Sequence, residues 1–268
     1  MLQYTMQKPR ERDIVVGAQL VHYYQVDSVG PQKNTLVFLH GWGSNSPLWF
    51  PSTLSLAEKG YELIFIDLPG FGRSQNPQKP FFLEEYAETV AGVVEKLEIR
   101  SPIVIGHSFG GKTAIRIASK QMVPLSGLVL VDSSGLPHTS FRTQVKIGIA
   151  KTVKPIFSIP LLQGVRTGLL RLSGSDDYVA FPELRETFIN IISEHVTEEL
   201  SRIAVPTMVI WGERDDNSYS PVGDAAVFQK NIQNTHIRII KNAGHYCFLD
   251  QQQEFTDSLS SFVESIHV

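Results

Sequence analysis

The chain has 268 residues, enough for one large domain or two small ones and for a sizeable core. Hydrophobic residues make up 42% and charged residues 19%, and the formal net charge of −3 gives no electrostatic ground for binding nucleic acid or an anionic membrane surface. The single cysteine excludes an intramolecular disulfide, the polar start from Met1 to Arg12 lacks the apolar core of a signal peptide, and no run reaches the roughly 18 apolar residues of a membrane span, so a cytoplasmic location is expected.

In chain order, Asp13 to Gln25 alternates as one or two strands, the expected antiparallel start of a sheet. Leu36-Val37-Phe38-Leu39 is an apolar strand running into His40-Gly41-Trp42-Gly43. Leu63-Ile64-Phe65-Ile66 runs into Asp67 to Ser74, where Pro69, Gly70 and Gly72 predict a structural turn. Glu84 to Leu97 carries a helical stripe of Tyr86, Ala87, Val90, Val93, Val94 and Leu97. Pro102 to Ile105 predicts a short strand and Thr113 to Ala118 a helix after it; Leu128 to Val131 is another strand, ending in Asp132. This alternation argues for parallel βαβ units.

The rhythm stops after Ser133. Thr139 to Leu172 is amphipathic and basic, with Lys146 and Lys151 among apolar residues, and Phe181 to His195 reads as another helix. The expectation is a helical cap over 136–203, inserted between core segments 1–135 and 204–268. A basic amphipathic helix also suits a membrane surface, but a lid with its charges in water and its apolar side over a site is favoured, so no stable membrane insertion is expected. The sheet resumes at Thr207 to Trp211, running into Gly212-Glu213-Arg214-Asp215, and ends with Ile237 to Ile240 before Ala243-Gly244-His245.

Gly106-His107-Ser108-Phe109-Gly110-Gly111-Lys112-Thr113 satisfies two motifs at once. As G-x-x-x-x-G-K-T it is a phosphate-cradling loop, with Asp132 in the place of a magnesium-holding carboxylate and Asp67-Leu68-Pro69-Gly70 imitating D-x-x-G. As G-x-S-x-G it is a nucleophile elbow with Ser108 at its apex. The order favours the elbow and leaves a P-loop NTPase as a remote alternative. The phosphate loop would follow, rather than precede, D-x-x-G, and N-K-x-D is absent. The elbow instead explains polar groups at the ends of several strands, where open α/β sheets place their sites, and the order serine, acid, histidine.

A serine hydroxyl needs a base to take its proton, so Ser108 is the expected nucleophile and His245, on the loop after the last strand, its base. Small Gly106 and Gly110 permit the tight turn. His107 is adjacent to the serine and expected to point elsewhere; His40 is expected to orient its own loop. Asp215 is the expected acid, holding the imidazole tautomer, with Asp216, Glu213 and above all Asp132 as rivals. Phe109 N–H, just after the nucleophile, is one expected oxyanion donor. Gly41 and Gly43 would let their loop approach the substrate. Lys112 and Thr113 become ordinary first-turn helix residues, Cys247 a packed side chain, and no cluster has metal-ligand spacing.

With these segments in place, the chain resembles an α/β-hydrolase from about Val21 to Phe262. His40-Gly41-Trp42-Gly43 and Asp67 to Ser74 are similar to those of the pimeloyl-carrier-protein methyl ester esterases, which usually carry Trp where His107 stands. The resemblance implies an α/β fold with a mostly parallel eight-stranded sheet flanked by helices, a Ser-His-Asp triad of Ser108, His245 and Asp215, and Trp42 N–H as the second oxyanion donor. It implies a carboxylesterase acting on a small-molecule ester without cofactor or metal. Thioester hydrolysis, perhydrolysis, acyl transfer and C–C cleavage by the same triad, or a non-catalytic receptor on the same scaffold, stay open, as does the oligomeric state.

Overall fold

The computed structural model describes residues 7–138 and 180–266. The basic stretch Thr139 to Leu172 lies outside them. Eight strands form one sheet: β1 (Arg10–Val16), β2 (Gln19–Val26), β3 (Asn34–Leu39), β4 (Tyr61–Ile66), β5 (Ile103–His107), β6 (Gly127–Val131), β7 (Thr207–Gly212) and β8 (Thr235–Ile240). Their spatial order is β1-β2-β4-β3-β5-β6-β7-β8. β1 pairs antiparallel with β2, and β2 with β4; every later pair is parallel. The expected antiparallel start is therefore a hairpin, turning at Gly17 with φ 58°. Its edge strand carries Arg10, Glu11, Arg12 and Asp13, charges that discourage edge-to-edge pairing.

Every residue of β3, β5, β6 and β7 is buried, which is why these strands read as unbroken apolar runs rather than alternating ones. Helices cover both faces. On one lie α1 (Leu83–Lys96) and α2 (Phe109–Ser119), with Tyr86, Val90 and Ile115 packed against Val37, Leu39 and Val104. On the other, Trp49, Phe248 and Phe255 pack against Leu36, Phe38 and Ile105. Between β6 and β7 the described residues include a 3-10 turn at Pro182–Leu184 and α3 (Arg185–Ser193). The predicted helix over Phe181 to His195 is shorter than expected because Glu194 is extended, at φ −83°, ψ 143°. α4 (Asp224–Asn231) follows β7, and α5 (Gln252–Ser265) comes after β8.

The chain moves outward from β3 to β4, then crosses back to lay β5 on the other side of β3. Loops leaving β3 and β5 therefore diverge, opening a crevice at the carboxyl ends of the strands. The register sets Leu39 opposite Gly106, His107 opposite Val131, and Gly212 opposite Ile240. His40 to Gly43, Ser108, Asp132, Asp215 and His245 all emerge along this one rim.

Candidate active site

Ser108 lies between β5 and α2, at φ 51° and ψ −113°, a conformation that side-chain-bearing residues rarely adopt. Three backbone bonds hold it there: its N–H donates to Val131 O at 3.0 Å, and its carbonyl accepts from Lys112 N–H and Ser134 N–H, each at 3.1 Å. The turn closes only around missing side chains. A β-carbon on Gly106 would lie 2.4 Å from Gly110 O, and one on Gly110 would lie 2.4 Å from Leu39 O. Helix α2 begins at Phe109, ahead of the expected first-turn residues Lys112 and Thr113, because the glycines after the elbow are already wound into its first turn.

His245 Nδ1 is 2.9 Å from Asp215 Oδ2. An ionised carboxylate only accepts, so Nδ1 carries the proton and Nε2 keeps its lone pair. Asp215 has a fully buried side chain, and its Oδ1 accepts from Asn217 N–H at 2.9 Å. The loop is tightened again where Asn217 Oδ1 accepts from Tyr219 N–H, bringing Ser220 Oγ to 3.2 Å from the same Nδ1. Ser220 was not among the expected site residues, and no motif marks it. Ser108 and His245 line one cavity of about 130 Å³ with Gly41, Trp42 and Phe109. Among the described residues no hydrogen bond joins Ser108 to His245; such bonds often tighten only in the substrate complex.

Asp132, the rival acid, makes no hydrogen bond to the imidazole among the described residues. Its Oδ1 accepts from Gly212 N–H at 2.8 Å, its Oδ2 is buried without a hydrogen-bond partner, and buried Cys247 is a close neighbour of the carboxyl. Burial pushes its carboxyl well above the usual carboxylate range, against the pull of Cys247 and Gly212 N–H. Cys247 is fully buried, and burial raises its thiol in turn. Glu213 Oε2 accepts from Asn242 N–H, and Asp216 is exposed.

As first residue of α2, Phe109 has a backbone N–H with no intrahelical partner. Trp42 faces it across the crevice, ring centroids 5.5 Å apart. Gly41 serves a different neighbour than expected: its β-carbon would meet His107 Nδ1 at 2.8 Å. Gly43 supplies the left-handed position, φ 70°, that turns the loop. His40 Nδ1 donates to Gly41 O at 2.8 Å while its Nε2 accepts from Leu68 N–H at 2.9 Å, so it ties its own loop to the Asp67 turn. Asp67 bridges that turn, accepting from Ser46 N–H and Arg73 N–H.

Lys112 departs from its reading as an ordinary helix residue. It is 3% exposed, lines the cavity, and its Nζ donates to Ile191 O and Glu194 O, each at 2.5 Å. These carbonyls lie at and just past the end of α3, where a cation is favoured. Burial lowers this ammonium to about 8. One turn on, Arg116 pairs with Glu84 of α1 and with Glu194 and Glu199, fastening α2 both to α1 and to that segment. A lysine so engaged is not aimed at a nucleotide phosphate. Among the described residues no group of His, Cys, Asp and Glu has metal-binding geometry, and no helix is long and apolar enough to cross a membrane.

Residues 36–258 match the model of the alpha/beta hydrolase family, and the chain belongs to that family. It is similar to the AB hydrolase superfamily protein YisY of Bacillus subtilis, 26% identical with 90% of this chain and 95% of that protein covered. It is also similar to a pimeloyl-[acyl-carrier protein] methyl ester esterase of Pseudoalteromonas atlantica, 26% identical with 85% and 93% covered. The solved structure of a membrane phospholipase A, a bacterial virulence factor, superposes with a TM-score of 0.77 at 22% identity, covering 96% of this chain and 86% of that one, and shows the shared fold.

Proposed function

We propose that the protein is a serine carboxylesterase that hydrolyses small to medium acyl esters through an acyl-serine intermediate. The observation that carries this reading is the pairing of His245 Nδ1 with Asp215 at 2.9 Å, in a cavity shared with a serine at a strained strand-to-helix turn. In this reading His245 Nε2 takes the Ser108 proton as Oγ attacks the ester carbonyl. Asp215 stabilises the imidazolium that results. The N–H groups of Trp42 and Phe109 receive the developing oxyanion, a donor of this kind contributing about 2.7–4 kcal/mol. The imidazolium protonates the departing alkoxide. The neutral ring then activates water, which releases the acid and regenerates Ser108.

The cavity wall fits an acyl ester. Trp42, Leu136, Phe188 and Ile191 offer apolar surface. The segment 136–203 serves in this reading as the cap, its described end anchored through Lys112 and Arg116, and 1–135 with 204–268 as the catalytic core. Relatives include a methyl ester esterase, which favours ester over other acyl chemistry.

The test is a series of p-nitrophenyl esters and matching thioesters of graded acyl length, run beside Ser108→Ala. The expected result is an optimum at one acyl length, esters ahead of thioesters, and a variant at the uncatalysed rate. Turnover that survives Ser108→Ala, or none in the parent protein, overturns the reading.

A further inference from the structure

His107 directly precedes the elbow serine, yet its ring is committed to a partner 138 residues away. Its Nε2 lies 2.8 Å from the backbone carbonyl oxygen of His245. A carbonyl oxygen only accepts, so Nε2 carries the proton and Nδ1 is bare. The ring is 1% exposed and boxed in: Trp49, Tyr246 and Phe248 surround it at centroid distances of 6.3, 5.0 and 5.1 Å. Gly41 packs against the Nδ1 side, where a β-carbon would come within 2.8 Å, and the ring also borders the cavity. The two imidazoles themselves are 4.7 Å apart.

The two histidines differ in support. His107 is the last residue of a central strand, paired with Val131. His245 sits in the loop between β8 and the single turn Cys247–Asp250. That loop is held at Ala243 O by Arg214 N–H and at Gly244 N–H by Asp250, both at 2.8 Å, and at His245 itself by His107. Fixing the carbonyl fixes the backbone torsions from which the imidazole projects.

We infer that His107 is a positioning residue: from the end of β5 its Nε2–H grips the backbone carbonyl of His245 and thereby aims that imidazole's bare Nε2 at Ser108. The inference rests on the triad reading above. Charge supports the arrangement. Burial first, then repulsion from His245 when that ring is charged, hold His107 well below the usual imidazole range, with buried His40 acting in the same direction. His107 therefore stays neutral, and keeps its donor in place, while its neighbour gains and loses a proton.

The experiment compares His107→Phe, which keeps a ring and removes the donor, with His107→Gln, which places an N–H near the same point. A misaimed base costs up to about 100-fold, so His107→Phe is expected to lower kcat about 10- to 100-fold with KM changed less than about 3-fold. His107→Gln is expected to restore kcat to within about 5-fold of the parent, because the hydrogen bond rather than the ring is what matters. Full activity in His107→Phe, or equal loss in both variants, overturns the inference. A measurement on the unmodified protein guards against a variant that does not fold. Nitrogen-15 NMR at neutral pH is expected to find His107 protonated at Nε2 and bare at Nδ1, and the opposite tautomer overturns it. The NMR arm needs no turnover, so it separates failure of this inference from failure of the esterase reading.

Discussion

Asp132 and Asp215 follow neighbouring strands at the same rim, and both side chains are buried, but they face different groups. Asp215 is followed by a loop that folds back on its carboxylate, with Asn217 N–H on one oxygen and His245 Nδ1 on the other. Asp132, at φ 42°, accepts from Gly212 N–H at the end of β7. A carboxylate at a strand end is therefore not sufficient to meet the imidazole. The residues after it decide whether it meets an imidazole or props up the neighbouring strand.

The sharpest way to break this contrast is to exchange each carboxylate for its amide. Asp215→Asn should lower kcat by about 10³- to 10⁴-fold, because an amide no longer holds the Nδ1–H tautomer. Asp132→Asn should cost less than about 5-fold, since an amide oxygen still accepts from Gly212 N–H. Ester hydrolysis rates for the pair check this, and a larger loss at Asp132 reverses the assignment. Lys112→Met extends the test to the cavity's buried cation. It leaves Ile191 O and Glu194 O without their donor and should lower unfolding stability by about 1–3 kcal/mol in urea titrations. The parent protein should also gain stability relative to Lys112→Met as pH rises from about 8 toward the ordinary lysine value, because over that window the unfolded chain holds a proton the folded one has released. Ser220→Ala sharpens the picture of the acid loop: removal of a neutral contact shared with Asp215 should reduce kcat about 2- to 10-fold with little change in KM.

The smallest effect concerns Asp132 alone. Its folded-state carboxyl is raised, so above the usual carboxylate value the native protein retains a proton the unfolded chain has lost. Stability from this group is fully present at low pH and declines as pH climbs through the raised value. Unfolding curves of Asp132→Asn should lack that component, and an unchanged pH profile would show that Asp132 is not held protonated.

Much of this was legible in the chain. The central strands announce themselves as apolar runs because both faces are covered, and the elbow because Gly106 and Gly110 have no room for a β-carbon. The contact between His245 and Asp215 matches the acid expected from the Gly212-x-x-Asp215 spacing, although strand order alone left Asp132 as a rival. What sequence could not display were contacts made across the fold. Lys112 reaches carbonyls 79 and 82 positions later, so its burial has no local signature. His107 was expected only to point away from the serine, and its partner stayed hidden because it is a backbone oxygen, and backbone atoms carry no residue code. Ser220 is placed by two successive side-chain turns, at Asp215 and Asn217, that only the folded loop makes visible.

The torsions at Ser108 carry a consequence for engineering. Holding a residue with a β-carbon at φ 51°, ψ −113° costs on the order of 1–3 kcal/mol, and glycine would relieve much of it. Directed evolution toward heat tolerance alone would therefore reward Ser108→Gly, a sturdier molecule with no hydroxyl to offer. If Ser108 is the nucleophile proposed above, libraries built on this scaffold need a turnover screen at every round, or the most robust clones will be inert.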